Sequence, residues 1–381
     1  MSYKIPLFDA NLDEADAEAV AQTVRSRWIS MGKNVQDLES EVAARMGVKH
    51  AVATSSCTSA LHLALLAAGV RPGDEVILPS LTFVATANAV KYCGATPVFA
   101  DILSLQEPTI DPNHVEHLIT SRTRAIIGMH YAGFASCMDD LAGIAERHKI
   151  AFVQDAAHAI GTRIGDRHIA TYSQFACFSF FANKVITSGE GGLVTTDNDQ
   201  VASELRLLRS HGMTALSYDK ARGHASDYDV VRLGYNYRID DIRAALARSQ
   251  YRKLDTILET RRKLRSRYVE ALGDLDAVAL PFLGSRDISS NYIFPIVLRE
   301  ATAETRAVIR KKLADNGIQT SVHYPPVHRF DIYRGHAVER SLPITEKFSD
   351  SMITLPFYDA LTESQMLYVV ESLRKALHRT V

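Results

Sequence analysis

The sequence predicts an α/β fold in which a mostly parallel central sheet is flanked by helices, followed by a smaller α+β C-terminal domain. Three observations predict it. Between residues 50 and 210, short apolar runs alternate with helical patterns. Those runs show little polar alternation, as expected of strands covered on both faces. From about residue 236 the chain turns to long, charged helical sequence. A chain of 381 residues exceeds what one small core serves. The expected division is a large domain over residues 1–245 and a small one over 246–381.

The elements follow in order. "HAVAT" reads as a strand leading into the helical "TSALHLALLAAG". "DEVILPS" precedes "FVATANAVKYCG", "TPVFADI" precedes "DPNHVEHLI", and "RAIIGMHY" precedes "MDDLAGIAERHK". In that last helix Met138, Leu141, Ala145 and His148 share one face. "IAFVQDA", "FACFSFF" and "GGLVTTD" complete the strands. Right-handed crossovers are expected between parallel strands, with a ligand site at their carboxyl ends. Further on, "RIDDIRAALARSQYRKLDTILETRRKLRSRYVEAL" reads as long helix and "SSNYIFPIVL" as strand. "AETRAVIRKKLADNGI" is an amphipathic helix stopped by Gly317, and "TSVHYP" is a strand ending at a proline. The last helix carries Met366, Val370, Leu373 and Leu377 on one face.

Composition excludes several classes of function. A hydrophobic fraction of 46% and a charged fraction of 23% are those of a soluble globular protein. The net charge of -1 argues against a nucleic-acid partner held by bulk electrostatics, though not against a local basic pocket. Cys57, Cys93, Cys137 and Cys177 form no C-x-x-C pair, so neither a metal site nor a disulfide framework is expected. The N-terminal "MSYKIPLFDANLDEADAEA" has no apolar signal core. The longest apolar run, "ALHLALLAAGV", is too short to span a bilayer and contains His62. A cytoplasmic protein without a membrane partner is the expectation.

Four features bear on chemistry, and each has an ordinary structural alternative. Asp155 ends an apolar strand in "VQDAAHAIG", where it serves either as a helix cap or as a carboxylate holding a positive ligand nitrogen. Lys184 follows "FACFSFF", and an amine beside apolar walls becomes a better nucleophile. Gly189, Gly191 and Gly192 after it suit either a plain hairpin turn or close approach to a ligand. A helix starting near Cys57 and Thr58 offers free amides and a positive dipole end, which suit phosphate. Cys57 itself reads as a buried thiol. Phe83 follows a strand, where its ring packs in the core or stacks on a planar ligand. A Schiff-base lysine, an aspartate for a pyridinium nitrogen, a phosphate site and a flat ring wall are together what pyridoxal 5'-phosphate requires.

"SSCTSALHLALLAAGVRPGDEVILPSLTFVATANAV", "QDAAHAIGT", "FSFFANKVITSGEGGLVTT", "RSHG", "LGYNYRIDDIRAALARSQ" and "SVHYPPVH" resemble, in the same order, the sugar-nucleotide aminotransferases of the DegT/DnrJ/StrS type. The resemblance implies the fold-type-I aminotransferase architecture, pyridoxal 5'-phosphate as cofactor, and a homodimer with active sites at the subunit interface. It implies that Lys184 forms the Schiff base and that Asp155 pairs with the pyridine nitrogen. His158, where many relatives have glutamine, would lie near the ring hydroxyl, and Phe83 would stack on the ring. Cys57, Thr58 and Ser179 would hold the phosphate, with Asn236 reaching it from the other subunit. Three positions depart from the family's usual pattern. Cys57 stands in place of glycine, Ser173 and Gln174 replace a Gly-Asp pair, and Arg243 stands where glutamine is frequent.

The activity so implied is transfer of an amino group from glutamate or glutamine to a keto sugar linked to a nucleoside diphosphate. Lys220 and Arg222, in the polar "YDKARGHASDYDVVR", are candidates for the diphosphate, and His323 and Tyr324 for the sugar. The alternatives are an aminocyclitol ketone as acceptor, or a non-catalytic regulatory protein on the same fold. A sugar dehydratase of the same family would carry histidine in place of Lys184.

Overall fold

The computed structural model describes residues 3–215, 227–334 and 341–378. Two helices open the chain, α1 (Glu14–Arg25) and α2 (Lys33–Met46). The Asp13 side chain caps α1 in a reciprocal box with Asp16. Then come β1 (His50–Thr54), α3 (Cys57–Ala67), β2 (Glu75–Pro79), α4 (Val84–Tyr92), β3 (Thr96–Ala100), α5 (Pro112–Leu118) and β4 (Thr123–Met129). They are followed by α6 (Met138–His148), β5 (Ala151–Asp155), a hairpin of β6 (Arg163–Ile164) and β7 (Arg167–His168), β8 (Phe175–Ser179), β9 (Gly192–Thr196) and α7 (Asp199–Arg209).

Seven strands form one sheet in the order β1-β9-β8-β5-β4-β2-β3. The β8/β5, β5/β4, β4/β2 and β2/β3 pairs are parallel. Only β9 runs against its neighbours, pairing antiparallel with both β1 and β8. Apolar residues cover both sheet faces and make two core clusters, as the unbroken apolar strands require.

A second sheet, β10 (Val278–Ala279), β11 (Phe294–Leu298) and β12 (Met352–Leu355), is antiparallel and has its own core. Helices Ala303–Asp315 and Glu363–His378 pack beside it. The N-terminal Ile5 joins this core, bridging to Ile318. Helix Leu254–Leu272 runs between the two regions, with Leu254 and Ile257 in a large-sheet cluster and Leu264, Tyr268 and Leu272 in the other.

The later chain differs from expectation in two places. The expected long helix is two helices, Asp241–Arg252 and Leu254–Leu272, meeting at Lys253. "TSVHYP" is no regular strand: it makes one bridge, Ser321 to Thr354, before His323 meets Tyr131 beside the seven-stranded sheet. Among the described residues, no helix is long and apolar enough to cross a membrane, and no cluster of three His, Cys, Asp or Glu could hold a metal ion. The four cysteines are unpaired.

Candidate functional site

Parallel strands β5 and β8 lie side by side, with Asp155 opposite Cys177. That pairing brings the end of β5 next to the loop after β8 that carries Lys184. Phe180 closes this loop: its amide donates to the Gly191 carbonyl at 2.9 Å, and its carbonyl accepts from the Ser188 amide at 2.9 Å. Gly189 turns the loop with φ 78, a left-handed conformation that glycine adopts without strain. Lys184 Nζ sits 4.2 Å from the ring centre of Tyr292, whose hydroxyl donates to Asn183 Oδ1 at 3.0 Å.

Asp155 is 4% exposed. Its Oδ2 accepts from Thr86 Oγ1 at 2.6 Å, and its Oδ1 accepts from the Ala157 amide at 3.1 Å. Burial pushes the carboxyl above its ordinary value, while these hydrogen bonds and the Lys184 cation oppose that shift. Thr86 is held in turn by Thr82, at 2.7 Å.

The start of α3 forms the opposite wall. Ser56 caps the helix by accepting from the Ser59 amide, while the amides of Cys57 and Thr58 have no acceptor among the described residues. Gly192, at the start of β9, lies directly against this turn, and a Cβ there would meet Cys57 N at 2.4 Å. The cradle exists because position 192 has no side chain. Burial raises the Cys57 thiol well above its ordinary pKa, so it is no nucleophile.

One cavity of about 360 Å³ joins these parts. Cys57, Thr58, Phe83, Asp155, His158, Ser179, Lys184, His323 and Tyr324 all line it. Phe83 is 54% exposed, so its ring is a wall of the cavity rather than core packing. His158 is buried and bonds through Nε2 to the Tyr324 hydroxyl at 2.8 Å, while its Nδ1 has no partner. Burial, and then the Lys184 cation, lower its pKa well below the usual value, so it is neutral. His323 bonds Thr354 Oγ1 at 2.9 Å and is held down to about 4, chiefly by burial.

Asn236 does not line this cavity. It is exposed, bridged to Ser210, between Tyr235 and Tyr237, whose rings stack 5.0 Å apart and flank His62. Lys220 and Arg222 lie outside the described residues. Of the departures, Ser173 accepts from Gln154 at 2.7 Å, and Arg243 pairs with Asp240 at 2.6 Å. Thr86 and Tyr292 went unread in the sequence. The only signal for Tyr292 was an aromatic at the mouth of the "SSNYIFPIVL" strand.

A larger cleft, about 860 Å³, lies between helix Leu254–Leu272 and the β6/β7 hairpin. It contains no lysine and no open helix start, whereas the smaller cavity has both. The smaller cavity fits pyridoxal phosphate on three observations: the glycine-cleared cradle for a phosphate, the buried carboxylate for a ring nitrogen, and the orphaned His158 Nδ1 for a polar ring substituent.

Residues 10–374 match the model of the DegT/DnrJ/EryC1/StrS aminotransferase family. The chain is 36% identical over 382 residues to the spore coat polysaccharide biosynthesis protein SpsC of Bacillus subtilis (strain 168), covering 98% of this chain and 96% of that protein. It superposes on the putative sugar aminotransferase Spr1654 of Streptococcus pneumoniae in its PMP form with TM-score 0.93 at 28% identity, covering 99% and 100% of the two chains. The PLP form of Spr1654 gives TM-score 0.92. Helicobacter pylori PseC, an aminotransferase involved in the biosynthesis of pseudoaminic acid, gives TM-score 0.92 at 29% identity, covering 98% and 99%.

Proposed function

The chain belongs to the DegT/DnrJ/EryC1/StrS aminotransferase family, and on that premise we propose that it moves an amino group from glutamate or glutamine onto a keto sugar carried by a nucleoside diphosphate. The product is an amino-deoxy sugar nucleotide. The cofactor is pyridoxal phosphate, as in the family's solved members. The observation that carries the reading is the meeting of Lys184, Asp155 and the open amides of α3 in one cavity. SpsC, Spr1654 and PseC, which are named for sugars or polysaccharides, support a sugar as the acceptor.

When bound, the cofactor supplies an electron sink for the carbon that loses its proton. The chain's own residues do the rest. The amides of Cys57 and Thr58, the hydroxyls of Thr58 and Ser179, and the α3 dipole bind the phosphate. Asp155 holds a positive ring nitrogen, and that charge in turn favours the ionised carboxylate that burial alone disfavours. Phe83 covers one face of the ring. Lys184 would hold the cofactor through its amine, and as a free amine it would move the proton at the reacting carbon. Asn236, exposed on its tyrosine platform, is offered to a second copy of the chain, so each site is completed by a homodimer. His323 and Tyr324 face the incoming sugar.

The test has two parts. Borohydride reduction of the loaded protein should fix the cofactor on Lys184, and Lys184→Ala should abolish both the fixation and the amino-donor half-reaction. A Lys184→Ala protein that transaminates at the normal rate would falsify the reading. A panel of keto acceptors then decides the substrate: amination of an aminocyclitol ketone alone would sink the sugar-nucleotide assignment.

A further inference from the structure

Tyr324 and His158 meet inside the cavity, the hydroxyl of one 2.8 Å from Nε2 of the other. Two hydrogen placements satisfy that distance, and they differ in what they leave unpaired. If the imidazole donates from Nε2, the Tyr324 proton has no acceptor among the described residues, and the bare Nδ1 has no donor. Two groups in the cavity are then unpaired, the partly buried phenol and the buried Nδ1. If the phenol donates to Nε2, only the Nδ1–H remains without a partner. Ser349 Oγ bonds the Tyr324 carbonyl and leaves the hydroxyl free for this task.

The surroundings keep both partners in the required state. Burial holds the Tyr324 phenol well above its usual pKa, so it keeps its proton. His158 faces the Lys184 cation, His323, His130 and, at 4.2 Å, the Tyr292 ring. Burial and the cation Lys184 keep His158 neutral. A neutral imidazole has one N–H and one lone pair, and here the lone pair is already taken.

We propose that Tyr324 is a positioning residue that fixes His158 as its Nδ1–H tautomer, so that toward a bound ring His158 can only donate, leaving Lys184 as the proton carrier of the cavity. Its use in catalysis rests on the cofactor reading above, whereas the tautomer itself does not. With Nδ1–H facing the ring, His158 favours an anionic oxygen there and has no free lone pair with which to compete for the proton that Lys184 moves.

The experiment is nitrogen-15 NMR of histidine-labelled full-length protein, without cofactor and with pyridoxal phosphate. His158 is assigned by its loss in His158→Asn. The expected result is a protonated Nδ1 and an unprotonated Nε2 in both states. Tyr324→Phe keeps the ring but should shift the tautomer toward Nε2–H and weaken pyridoxal phosphate affinity about fivefold, the effect of one hydrogen bond. Ser349→Ala, which loosens the same segment without touching the hydroxyl, should leave the tautomer unchanged. A protonated Nε2 in the parent protein overturns the proposal, as does a Ser349→Ala effect equal to that of Tyr324→Phe. The tautomer is measured on the cofactor-free protein, so its outcome does not depend on whether pyridoxal phosphate binds.

Discussion

Asp155 sits between opposing effects: burial favours its neutral form, and the Thr86 hydroxyl and Ala157 amide favour its charged form. Thr86→Val removes one of the latter at nearly constant volume. Loss of that bond should move the carboxyl further up, so more of it is protonated at any given pH. The acid limb of kcat/KM is therefore expected to move to higher pH, with a loss at neutral pH of about tenfold, the worth of a hydrogen bond to a charged group. An unmoved acid limb would show that Asp155 does not report through this bond. That Lys184 and Asp155 meet in one cavity was legible in the sequence, because Asp155 closes one apolar strand and Lys184 follows another, and strand ends in such sheets converge. Thr86 and Tyr292 were not. Thr86 lies 69 positions from Asp155, and Tyr292 reaches Lys184 from the entry to β11, so no local pattern marks either.

At the level of elements, the phosphate cradle depends on how closely β9 passes the first turn of α3. A Cβ at Gly192 would lie 2.4 Å from Cys57 N and 2.5 Å from Ser56 O, both backbone atoms that cannot swing away. Gly192→Ala must displace either the strand or the helix start. Pyridoxal phosphate affinity, measured by fluorescence titration, should fall about tenfold or more, in line with the cost of overpacking. Unchanged affinity would mean that the start of α3 is not where the phosphate binds. The seven strands of the large sheet and the flanking helices α3 to α6 were legible from the sequence pattern. The break at Lys253 was not, because neither glycine nor proline announces it. "TSVHYP" read as strand from its composition, but its residues are taken up by the site: the Tyr131 hydroxyl donates to the His323 carbonyl, and the Tyr324 hydroxyl goes to His158.

Across the described residues, several histidines are held in neutral form by burial. Burial lowers His62, His130 and His323 to about 4 and His168 to about 3, from an ordinary 6.5. Each folded-state value lies below the unfolded one, so the unfolded chain takes up protons first as pH falls. The stability these groups contribute is complete above pH about 6.5 and is lost progressively toward about 4. Urea midpoints should be level between about pH 8 and 7 and should decline steeply below about 6.5. A midpoint level down to pH about 5 would contradict this account. The change of pattern near residue 236 precedes the second sheet and its core, but the docking of Ile5 beside Ile318 was not legible. A contact of so few residues, made across most of the chain, leaves no periodic trace. Sheet order has a further consequence, which concerns time. β1 leaves the ribosome early, yet its sole sheet neighbour is β9, which is made after every other strand of that sheet. The first strand must wait, unpaired, while about 140 residues are synthesised. Contacts so distant in the chain fold slowly, so the nascent protein carries its future phosphate cradle as an open edge until translation passes Thr196.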